Sequence, residues 1–129
     1  MATLPNLHDG FFDGLYLFSD RRASLLVRTV TGERSTIALT DVEALNIRGL
    51  RAGNIIFDLV LIEPENLNLK DIERAYDLNG DAEKARLLLR KAQEAGLSGL
   101  EINASYGAEG ISLFRTFRTL PEHFLSSEG

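Results

Sequence analysis

Cysteine is absent from this sequence. That one absence excludes disulfides, thiolate metal sites and cysteine nucleophiles. It fits a reducing compartment, where disulfides do not persist. Histidine is almost missing: His8 and His123 are the only two, so one chain cannot build a histidine-rich metal site. Long apolar runs are missing too. The longest, NIIFDLVLI, is about half of what a membrane-spanning helix requires. The opening MATLPNLHDG lacks the basic cluster and apolar stretch of a secretory leader. Positive charge is in deficit, 14 Lys and Arg against 19 Asp and Glu, for a formal charge of −5. Binding to nucleic acid or to an anionic membrane needs the opposite sign. Together these absences predict a cytoplasmic protein with no nucleic-acid partner and no membrane association.

The familiar catalytic signatures are also missing. There is no Gly-rich phosphate loop with its Lys, no GxSxG elbow and no HExxH. AYDLNGDAEKAR comes nearest to a calcium loop. With Gly80 at the loop's required glycine, Asp77 and Asn79 fall on ligand positions, but Ala75 and Arg86 take the first and last. Calcium needs six or more oxygens, so the match fails. Asn79-Gly80 reads instead as a helix stop and Asp81 as a helix cap. The expectation is no metal and no cofactor.

What remains is a pattern of strands, then helices, then strands. A length of 129 residues suits one domain over 1–129. Apolar alternation predicts strands over 11–18, 23–30 and 34–40, with Thr31-Gly32-Glu33 turning the second into the third. VEALNIRGL gives a further strand or a bend. NIIFDLVLIE, over 54–63, reads as the strongest strand, with faces Ile55, Phe57, Leu59, Leu61 and Ile56, Asp58, Val60, Ile62. Both faces are apolar except at Asp58, which predicts a central strand covered on both sides. The period then changes. Asn68 caps a helix carrying Leu69, Ile72, Ala75 and Tyr76, and Asp81 caps a second with Ala85, Leu88, Leu89 and Ala92, stopped at Gly96. Strands over 100–106 and 111–118 follow, joined by the turn GAEG, and 119–129 reads as a tail. The fold class is α+β: an antiparallel, curved sheet, either a sandwich-like roll or an open sheet. Two consecutive helices, within 68–96, are inserted before a C-terminal hairpin.

Four residues stand out as candidate binding residues: His8, Asp13, Asp58 and Tyr106. His8 beside Asp9 has the chemistry of a general base with an orienting acid. Neighbours in a strand point to opposite faces, however, and Asp9-Gly10 is a natural turn dipeptide. Asp13 and Asp58 are acids inside apolar strands, and a buried carboxylate is costly unless paired. Their prospective partners are His8, Arg28, Arg115 or the Tyr106 hydroxyl, and the alternative is an edge position facing water. Tyr106 sits in SYGAEG, whose glycines turn chemistry already explains.

LHDG near the start, LLVRTVTGERSTIALTDVEAL, GNIIFDLVL and SYGAEGISLF together resemble a group of small uncharacterised bacterial domains. These carry an N-terminal His-Asp-Gly or His-Asp-Ala turn before a curved sheet, and some are similar to immunity proteins that neutralise toxins. His8, Asp9 and Gly10 match the opening turn; the resemblance carries over no catalytic residue. The expectation it supports is a non-enzymatic protein-interaction domain, whose partner is a basic toxin or, as a homodimer paired through ISLFRTFR, a second copy. The alternative is a small-molecule-binding or hydrolytic domain whose cleft gathers His8, Asp13, Asp58 and Tyr106. That alternative needs the four to converge on one pocket.

Overall fold

A computed structural model describes residues 3–123. Its strands are β1 (Phe11–Leu17), β2 (Ala23–Arg28), β3 (Arg34–Thr40), β4 (Ala44–Arg48) and β5 (Asn54–Ile62). After a 3₁₀ turn at Pro64–Asn66 come helices α1 (Leu69–Tyr76) and α2 (Ala82–Glu94). Strands β6 (Ser98–Tyr106), β7 (Glu109–Phe114) and β8 (Thr116–Pro121) complete the chain. All eight strands form one open antiparallel sheet in the order β4-β7-β6-β5-β1-β2-β3-β8. The class is therefore α+β.

The ends of this open sheet lie beside each other. The pair β4–β7 ends one side and β3–β8 the other. Yet only residues 41–43 separate β3 from β4, and only Arg115 separates β7 from β8. One intervening residue holds Phe114 and Thr116 within about 8 Å. The Arg115 N–H donates to the Thr40 carbonyl at 3.0 Å, and the Glu43 N–H to the Leu113 carbonyl at 2.9 Å. The sheet must therefore curl round its own interior. That interior holds Phe12, Leu25, Val27, Ile37, Leu39, Ile56, Leu100, Ile102 and Phe114, with Leu7 added from the segment before β1. Each such side chain contributes about 1.5–3 kcal/mol by leaving water.

The helices cover part of the outer surface. Ile72 and Ala75 of α1 and Ala85 and Ala92 of α2 pack on Ala44, Ile62, Ile111 and Leu113. Asn68 caps α1 in a reciprocal box with Asp71, and the Asp81 side chain accepts from the Lys84 N–H. The left-handed residue ending α1 is Asp77, φ 53°, two residues before the expected Asn79-Gly80.

Three expectations are corrected. The strand buried on both faces is β7, where Ile111 and Leu113 meet the helices and Phe114 the interior. β5 is central in the order, but only Ile62 reaches the helices, and Phe57 and Val60 are exposed. Residues 119–121, expected in the tail, are strand: Thr119, Leu120 and Pro121 pair with Ile37, Thr36 and Ser35. Glu122 and His123 follow the strand, and 124–129 lie outside the described residues. Finally, ISLFRTFR is two strands broken at Arg115, and its β7 half is paired on both sides.

Candidate functional site

The site candidates occupy a sheet face that the helices leave bare. Register identifies it. Tyr106 is the cross-strand partner of Ile55, Ile55 of Phe11, and Phe11 of Arg28. Directly opposed residues point the same way. The next row, Asn54, Phe12 and Val27, is buried, so the Tyr106–Arg28 row faces outward.

Three register shifts shape this face, one of them passing over Ser105 of β6. In β5 the register shifts between Ile56 and Asp58, so Phe57 has no partner of its own. A bulge breaks the two-residue alternation. Ile56 therefore joins Leu59 and Leu61 in the interior, and Phe57 is turned out with half its surface, 51 %, exposed. In β1 the shift falls between Phe12 and Gly14, leaving Asp13 unpaired in the ladder. Phe12 and Leu15 face the interior and Asp13 faces out. Both acids within apolar strands thus stand beside or at a bulge, which removes the burial penalty that made them conspicuous.

Asp13 is held by Arg28 through two hydrogen bonds, Nε to Oδ2 at 2.6 Å and a second guanidinium nitrogen to Oδ1 at 3.0 Å. Arg28 also lies over the Phe11 ring, 4.5 Å from its centroid. The Asp13 carboxylate holds this guanidinium above its ordinary value. His123 completes the group. Its Nε2 is 3.2 Å from the Val27 carbonyl and 3.4 Å from Asp13 Oδ2. No periodicity extends beyond 118, so the sequence pattern places His123 in the tail and does not announce this contact.

His8 is positioned by the LHDG turn. Asp9 adopts a left-handed conformation, φ 60°, and the Gly10 N–H closes onto the Leu7 carbonyl. A Cβ on Gly10 would collide with the Arg28 carbonyl. The turn is stitched to the β5 bulge: the Asp9 N–H donates to Ile56 O, and the Ile56 N–H to Gly10 O. The His8 ring meets Phe57 edge-on at 5.3 Å, and its Nδ1 is 2.8 Å from the Phe57 carbonyl. A carbonyl only accepts, so Nδ1 carries the proton. Nε2 lies 3.5 Å from Asp9. The two side chains approach because Asp9 is in a left-handed turn, as its turn dipeptide suggests, and not in a strand.

Asp58 accepts a hydrogen bond from Asn103 Nδ2 at 2.7 Å, and that amide also donates to Glu101 at 3.3 Å. Glu101 forms an ion pair with Arg74 of α1. Beyond Asn103 is a cleft of about 450 Å³ lined by Asn46, Arg48, Arg74, Asn103, Glu109 and Gly110. Arg48 pairs with Asp77 at 2.9 Å. His8, Asp13, Asp58 and Tyr106 are not among its lining residues. Tyr106 is 53 % exposed beside Ile55.

The four candidates therefore share an outer face but do not converge. His8 goes to Phe57 and Asp9, Asp13 to Arg28 and His123, Asp58 to Asn103. Among the described residues neither histidine hydrogen-bonds a hydroxyl, so no nucleophile–base pair is assembled. The residues of AYDLNGDAEKAR do other work, Asp77 ending α1 and Asp81 capping α2. No helix among the described residues is long and apolar enough to cross a membrane. No protein-family model, no curated protein and no solved structure matches the chain.

Proposed function

We propose that the chain is a non-enzymatic protein-interaction domain, immunity-like in the sense that it acts by covering another protein. Its contact surface is the bare face of β1, β5 and β6. One observation carries this reading: Phe57 and Tyr106 stand half exposed on one sheet face, with Ile55 beside Tyr106, Phe11 on the other side of Ile55, and polar groups around them. Aromatic side chains ringed by polar groups are the usual composition of an interface centre. The hydrolytic reading has less support, because His8, Asp13 and Asp58 are bound to separate neighbours and Tyr106 is exposed beside Ile55. The chain's negative charge supports a basic partner, since opposite charge speeds encounter.

The test compares the proteins retained from the native cell by three immobilised chains: wild type, Phe57→Ser with Tyr106→Ser, and Leu87→Ser. Leu87 is exposed on α2, away from the face. The expected result is one protein retained by wild type and Leu87→Ser and lost with the double variant. Equal retention by all three would refute the assignment of the face.

A further inference from the structure

The charges around Phe57 specify the partner more closely. Acids elsewhere near this face are neutralised: Asp13 by Arg28, Glu101 by Arg74, Asp77 by Arg48. The two that flank Phe57 are not. Among the described residues, Asp9 has only His8 within ion-pair distance, and Asp58 has only the amide of Asn103. The two acids beside the exposed Phe57 ring thus have no Lys or Arg partner among the described residues.

We infer that the occupant of this face is a basic protein segment. It sets an apolar side chain against Phe57 and Tyr106, and Lys or Arg side chains against Asp9 and Asp58. This rests on the reading of the face as an interface and adds the chemistry of what covers it. A guanidinium or ammonium there gains a carboxylate that has no competing cation. It also lies beside aromatic faces that attract cations. A partner of negative charge would set like charges together, which costs affinity and so rejects it.

The test is an ¹⁵N–¹H NMR titration of the labelled chain with two probes, acetyl-Lys-Leu-Arg-Leu-Lys-amide and acetyl-Glu-Leu-Glu-Leu-Glu-amide. The basic probe is expected to shift the amides of Asp9, Phe57, Asp58 and Asn103, and the acidic probe to leave them. Asp9→Asn with Asp58→Asn should weaken the basic probe about threefold to tenfold, the effect of two exposed charge pairs. Asparagine tolerates the left-handed backbone of position 9, so this variant keeps the turn. Equal shifts by both probes, unaffected by the variant, would overturn the basic partner and leave the interface standing. No shift at this face with either probe would overturn both. Concentration-dependent shifts of the same amides without any probe would make a second copy of the chain the occupant and overturn the inference.

Discussion

Asn54 shows how much a single buried side chain can organise. It is 7 % exposed and satisfies four backbone groups. Its Oδ1 accepts from the N–H of Arg51 and of Ala108, and its Nδ2 donates to the carbonyls of Phe12 and Arg51. It ties the turn before β5 to β1 and to the turn before β7. Replacing Asn54 with Leu leaves these groups unpaired in a dry site. The expected loss is about 3 kcal/mol or more, read from urea unfolding. Gly107 belongs to the same joint. Its φ is 87°, and a Cβ there would overlap the Asn54 side chain. Gly107→Ala should cost about 1–3 kcal/mol by the same measurement. A change within 0.5 kcal/mol for either variant would show that the joint is dispensable. Gly107 was legible in the sequence as a turn residue. Asn54 was not, because a polar residue opening an apolar strand reads as a boundary, and its four partners lie up to 54 positions away.

At the scale of the element, sequence reading succeeded where hydrogen bonding is local. The caps Asn68 and Asp81 are three residues from the N–H groups they satisfy, so their residue types announce them. Asn68→Ala should remove about 1 kcal/mol of stability in a denaturant titration; an unchanged midpoint would mean that packing alone holds α1. Reading failed where a strand departs from period two. The bulges at Asp13 and Phe57 reverse the facing of what precedes them, and nothing in FFDGLYL or NIIFDLVLI marks the extra residue. The acids that suggested a buried site stand at or beside these bulges. The last turn of α1 carries a titratable group as well. Burial of the ring, together with the nearby Glu43 carboxylate, holds the Tyr76 phenol above its ordinary value of 10.0. A raised folded value means the neutral form is favoured by folding. Tyr76 therefore contributes stability in full below about pH 10, and that contribution is lost as pH rises through the raised folded value. Unfolding followed across that window should show the loss in wild type and not in Tyr76→Phe. Identical slopes for the two would contradict it.

At the scale of the molecule, the curl of the sheet decides which residues can act together. Class and element order were legible, because strands joined by short turns must pair antiparallel and the helical periods are distinct. The curl was not. It follows from two short links, 41–43 and Arg115, that join opposite ends of the strand order. Pairings such as Ala38 with Arg118 span too much sequence to be read from pattern. The curl also sets the division of surfaces. Both helices pack over β4 and β7, leaving the outer face of β1, β5 and the end of β6 uncovered. His8, Asp13, Asp58 and Tyr106 were picked out for chemistry and all fall on that face, as parts of a surface and not of a pocket. The central claim is that this face meets the partner. Hydrogen–deuterium exchange of the chain, alone and bound to the protein retained by wild type, tests it most directly. The account predicts added protection at residues 8–11, 55–58 and 103–106. Protection confined to α2 or β8, with this face exchanging as in the free chain, would contradict it.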